Sequence, residues 1–82
     1  MKRGIIMKYE IFTLDEKKNT RVIWGTFYFS TDKKENARFK SFLLYLQKNV
    51  SCFNSFYIRE VETNKYFLLS MYFYLILDKL SA

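Results

Sequence analysis

Histidine and proline are absent from this chain, cysteine occurs once and glycine twice. Without histidine the commonest general base and metal ligand is missing. Cys52 alone forms no internal disulfide, no Cys–His pair and no zinc ligand set, so the expectation is a reducing compartment and a cytoplasmic location. Gly4 and Gly25 are too far apart to build a phosphate-cradling loop. The acidic residues sit in polar stretches or beside Lys and Arg, and no carboxylate constellation suggests a nuclease. The expectation is a protein that is not an enzyme and carries no cofactor and no metal. Long apolar runs are also missing. The longest, Tyr66 to Leu77, is broken by Ser70 and is too short to span a bilayer. Ile5-Ile6-Met7 is too short for the apolar core of a signal peptide.

What is present is a small, basic, aromatic chain. Its 82 residues make one domain, which by area scaling buries about 9,300 Å² on folding. Nine Phe, seven Tyr and one Trp could all be buried within that area, so only their placement can point to an interface. The hydrophobic fraction of 50% argues against disorder. The net charge of +6 favours an acidic partner: nucleic acid, an anionic surface or an acidic protein face. Abundant Lys, Asn, Ile, Phe and Tyr with no Pro also fits translation of AT-rich code, as in a low-GC bacterium, phage or plasmid. Lys2-Arg3-Gly4 can be encoded by a purine run resembling a ribosome-binding site upstream of Met7. Residues 1–6 therefore read either as a non-native or flexible extension of a domain spanning 7–82, or, through Ile5 and Ile6, as the start of the first strand.

The clearest period lies between Asp32 and Lys48. Phe39, Phe42, Leu43 and Leu46 recur at i, i+3, i+4 and i+7, one stripe of a helix, with Asn36 and the lysines mostly off it. Asp32 and Glu35 suit its start; Lys48 and Asn49 suit its end, with Asn49 tolerant of the left-handed conformation. Tyr9 to Leu14 and Arg21 to Phe29 read as strands joined by a polar loop in which Asn19 takes positive φ. In the second strand Ile23, Phe27 and Phe29 share one face and Val22, Trp24, Thr26 and Tyr28 the other. Both faces are apolar, so a central strand is expected, with Gly25 marking a bulge or a close backbone approach. Ser55 to Glu62 reads as a third strand, turning at Thr63-Asn64. Tyr66 to Leu80 fits both a strand and a helix; aromatic enrichment favours strand up to Tyr74, with Leu75 onward able to turn helical.

The expected fold is α+β: a single β-β-α-β-β domain with a mostly antiparallel four-stranded sheet, one amphipathic helix on one face, and a C-terminal end that can be helical. The uncovered face then carries Trp24, Tyr28, Tyr57, Arg59, Tyr72 and Tyr74. Together with Lys33, Lys34 and Arg38 on the helix, the first five are the candidate residues for binding a partner. The functional expectation is a small basic protein-binding module, an inhibitor or adaptor of the anti-defence kind encoded by phage or mobile elements and acting on a host protein or nucleoprotein. One alternative is a single-stranded nucleic-acid binder that stacks bases on the aromatic face. Trp24-Gly25-Thr26-Phe27-Tyr28-Phe29 does not fit the aromatic RNA-binding signature, because Trp precedes the glycine and no second glycine follows. Another alternative is a self-assembling structural protein. A homodimer through the open face is the expected association, since a monomer rarely exposes a patch beyond a few hundred Å².

Overall fold

Two asparagines set the two hairpins. Asn19 (φ 52°) and Asn64 (φ 60°) are the non-glycine residues at positive φ among residues 4–81, the part of the chain that the computed structural model describes. Each ends a polar turn between antiparallel strands: β1 (Ile5–Asp15) with β2 (Thr20–Ser30), and β3 (Tyr57–Glu60) with β4 (Lys65–Leu68). Between the hairpins lies helix α1 (Lys33–Asn49), followed by a short 3-10 turn at Phe53–Ser55. A second helix, α2 (Leu69–Ser81), follows β4 directly. The four strands form one antiparallel sheet in the order β2-β1-β3-β4, with both helices on one face.

The α1 stripe is core, as its period requires: Phe39, Leu43 and Leu46 are buried and Phe42 packs beside them. Each such side chain contributes about 1.5–3 kcal/mol relative to exposure. Phe39 stacks on Phe27 of β2, with ring centroids 5.1 Å apart and planes 8° apart. Asp32 caps the helix, its Oδ1 accepting from the Lys34 amide at 2.9 Å. Asn36, expected outside the stripe, is buried instead. Its Nδ2 donates to the Ser30 carbonyl at 2.8 Å and its Oδ1 accepts from the Ser30 amide at 2.9 Å, so the first turn is latched to the end of β2. Asn49 does not turn left-handed: it stays helical, donates to the Tyr45 carbonyl, and Val50 ends the helix in an extended conformation.

Three further expectations are corrected. β2 is an edge strand and not a central one; β1 lies between β2 and β3 and carries buried residues on both faces. The sheet face of β2 is also broken by a bulge. Ile11 pairs with Gly25 but Phe12 pairs with Ile23, so Trp24 is the extra residue and the in–out alternation reverses there. Gly25 marks that bulge and a close approach as well: a Cβ on it would lie 2.6 Å from the Phe27 ring. The C-terminal segment leaves the strand after Leu68, well before Tyr74, because α2 buries Leu69, Phe73, Ile76 and Leu80 in one helical stripe against α1 and the sheet. Of the N-terminal residues, 1–3 lie outside the described part, while Ile5 pairs with Ser30.

Candidate binding surfaces

The open face of the sheet is closed by its own side chains. At its centre is Phe12, only 3% exposed although no helix covers it. Tyr57 stacks on it at 5.3 Å and 14°, Tyr66 meets it edge-on at 6.3 Å, and the Arg21 guanidinium lies 5.2 Å from the ring centre. Glu10 on the neighbouring position of β1 ties this layer together. Its carboxylate accepts from Arg59 Nε at 3.1 Å and Nη2 at 3.2 Å, and from Arg21 Nη1 at 3.3 Å. Arg59 Nη1 donates further to Asn64 Oδ1 at 3.0 Å, in the β3–β4 turn. The Arg59 bonds hold the Glu10 carboxyl below the usual carboxylate range; partial burial opposes this and Arg21 reinforces it. Both guanidinium groups are thus engaged within the sheet, and the central ring is roofed.

The eight residues expected to share a site are distributed over four places. Tyr28, beside Lys8, and Tyr57 with Arg59 are on the open face. Trp24 is carried by the bulge to the helix side, where its ring edge meets buried Phe56 at 5.0 Å and its Nε1 donates to Thr13 Oγ1 at 3.0 Å. Tyr72 belongs to α2, not to a strand. It stacks on Phe67 at 4.8 Å and donates weakly to Glu60 Oε2 at 3.4 Å. Tyr9 lies beneath it, and burial together with its hydrogen bond to Tyr72 pushes the Tyr9 hydroxyl above its usual pKa. Lys33 and Lys34 are exposed at the start of α1, and Arg38 lies 5.8 Å from the centre of the Phe27 ring.

Two surfaces that residue patterning did not single out expose apolar groups together. The first is the far end of the β1–β2 hairpin. β3 pairs with β1 only from Tyr9 to Phe12, so the hairpin beyond Phe12 has no strand on its second side. Leu14, Val22, Ile23 and Trp24 are each about half exposed there, beside Lys17, Lys18 and Arg21. Asp15 Oδ1 accepts from the amides of Lys17 and Lys18 and so shapes the tip. A shallow cleft of about 190 Å³ opens between Phe12, Leu14, Arg21 and Tyr66. The signal for this surface was the mismatch between an eleven-residue hairpin strand and a four-residue partner, which only the topology reveals.

The second is a strip along α2 and the end of β4. Met71 is 78% exposed, Tyr74 70% and Leu75 61%, with Phe67 and Leu68 beside them. Phe67, Leu68, Met71, Tyr72 and Leu75 line a largely apolar groove of about 370 Å³. The helical spacing of Met71, Tyr74 and Leu75 could have identified this row, once Leu69 to Ser81 is read as helix.

Among the described residues no three His, Cys, Asp or Glu side chains gather where a metal ion could be held, and no helix is long and apolar enough to cross a membrane. The architecture defines a small α+β domain built on a four-stranded antiparallel sheet with two helices on one face. No protein-family model, curated protein or solved structure matches the chain.

Proposed function

We propose that the chain is a non-catalytic protein-binding module, an inhibitor or adaptor of the kind mobile elements direct at host machinery, which engages an acidic face of a host protein or nucleoprotein with its hairpin end. One observation carries this reading: the hairpin projects past β3 and holds Leu14, Val22, Ile23 and Trp24 half exposed, with Lys17 and Lys18 beside Asp15 and Glu16 at its tip and Arg21 bound to Glu10. A ribbon with Leu14 and Ile23 on one side and Val22 and Trp24 on the other suits an apolar cleft with an acidic border that Lys17 and Lys18 can reach. Trp is also among the residues that most often dominate such contacts. Residues 1–49 hold eleven Lys and Arg against five Asp and Glu, whereas residues 50–82 hold three of each, so the net +6 belongs to the half containing β1, β2 and α1. At the hairpin tip Lys17, Lys18 and Arg21 stand with Asp15 and Glu16, and the rest of the excess cations lie elsewhere in the same sequence half.

Nucleic acid is the weaker partner for these surfaces. Stacking platforms need rings and cations free to meet bases and phosphates. Here Phe12 is roofed and Glu10 occupies Arg21 and Arg59. The discriminating experiment is capture from host lysate by the full chain, with and without nuclease, alongside Ile23→Glu and the double variant Lys17→Glu/Lys18→Glu. One nuclease-resistant partner, lost in both variants while their circular dichroism matches the parent, is expected. Capture that disappears with nuclease, or that ignores both variants, would overturn the reading.

A further inference from the structure

We infer that the α2–β4 strip is covered by a second copy of this chain, related by a two-fold axis beside β4. The inference stands on a different face from the hairpin end and does not depend on the host partner. Three observations converge on it.

The first is area. Phe67, Leu68, Met71, Tyr74 and Leu75, with Tyr66 at the adjoining edge, expose roughly 700 Å² when each side chain is taken at ~200 Å². Ordinary monomers rarely expose an apolar patch of more than about 300–600 Å². A standard stable interface removes about 800 Å² from each partner, which this strip and its polar rim of Lys65, Ser70 and Asp78 supply.

The second is charge. A protein of net +6 repels its own copies, and a self-complementary contact has to avoid that field. The half carrying β3, β4 and α2 is neutral, three cations against three anions, and the five residues of the strip are all uncharged. The hairpin end, by contrast, keeps a net positive charge, Lys17, Lys18 and Arg21 against Asp15 and Glu16. The neutral half is therefore the one that can meet itself.

The third is the open edge. β4 is one of the two edge strands, the other being β2, and among the described residues no strand lies beyond it. The Leu69 amide donates to the Phe56 carbonyl at 2.9 Å, so the ladder bonds of β4 fall at Phe67 and Lys65, and Tyr66 between them turns its N–H and C=O outward. An exposed apolar edge is a template for another strand. A two-fold axis here sets two β4 edges antiparallel, extends the sheet across the contact, and brings the two α2 rows together, Leu75 near Leu75 of the other copy. Each end of the dimer then presents one basic hairpin.

Sedimentation of the full chain across concentrations up to about 100 μM tests this, with Leu75→Glu, Met71→Glu and, as control, Tyr45→Glu on the outer side of α1. Tyr45 is an exposed ring away from the strip, so its variant controls for added charge alone. The parent and Tyr45→Glu should sediment as dimers. Each strip variant should weaken association roughly a hundredfold, Leu75→Glu because the two-fold sets two like charges face to face and Met71→Glu because it puts a charge into an apolar contact, while its helical circular dichroism stays that of the parent. Met71 is the more exposed of the two, so Met71→Glu keeps the test alive if Leu75→Glu does not fold. A monomeric parent would overturn the inference, as would a dimer that persists in a folded strip variant.

Discussion

Gly25→Ala is the sharpest test of how β2 meets α1, because two effects of similar size predict opposite signs. In an ordinary strand, replacing glycine by alanine reduces the freedom of the unfolded chain and stabilises by about 0.4–1 kcal/mol. The backbone at Gly25 is not at positive φ, so conformation raises no objection. Space does. The added Cβ would lie 2.6 Å from Phe27 Cε2 and 3.0 Å from Cζ. The ring cannot simply swing aside: Phe39 is stacked on it at 5.1 Å and Phe42 lies at 4.7 Å. Arg38 adds a further neighbour at 5.8 Å. Overpacking of a held core ring costs about 1–3 kcal/mol, which exceeds the entropic gain. The net expectation is a loss of about 1–2 kcal/mol, seen as a lower midpoint in urea with an unchanged slope. Phe27→Leu should relieve the contact, so the double variant should lose less than the sum of the single losses. A Gly25→Ala protein as stable as the parent, or more so, would refute the bulge geometry and the packing of Phe27 beneath α1.

Two further outcomes follow from the polar contacts. Asn36→Ala should destabilise by about 1–3 kcal/mol in chemical denaturation, since it strips the buried Ser30 amide and carbonyl of both partners; a change within the error of the melt would mean that the latch contributes nothing. The Glu10 carboxyl is held below its ordinary value, so its contribution is present above about pH 4.5 and is lost as pH falls below it. Glu10→Gln should therefore flatten the acid limb of the stability curve, and two coincident limbs below pH 4.5 would contradict the clamp.

Much of the architecture was legible in residue patterning, and the failures have particular causes. The α1 stripe, the asparagine turns, the two hairpins bridged by a helix and the antiparallel sheet could all be read, because each depends on local periodicity or on φ preference. The position of β2 could not. Apolar residues on both faces normally mark a central strand, but in β2 they are divided between a buried end at Phe27 and an exposed end at Val22 to Trp24. The extent of α2 was hidden because the residues from Tyr66 to Leu80 satisfy period 2 and period 3.6 alike; only burial of Leu69, Phe73, Ile76 and Leu80 against α1 and the sheet decides for helix. The candidate site suffered from both. One extra residue at the bulge moved Trp24 away from Tyr28, and the helix removed Tyr72 from the face that holds Tyr57 and Arg59. Asn36 escaped because its role depends on a backbone end six residues earlier that the helical period does not register.

The central claim, that the hairpin end docks a partner, is tested most directly by the chain's single tryptophan. Trp24 is about half exposed at that end. Titrating the purified chain with its captured partner should shift Trp24 emission to shorter wavelength and shield it from an aqueous quencher, with saturation that Lys17→Glu/Lys18→Glu abolishes. Complex formation that leaves the Trp24 spectrum and its quenching unchanged would place the contact elsewhere and contradict the account.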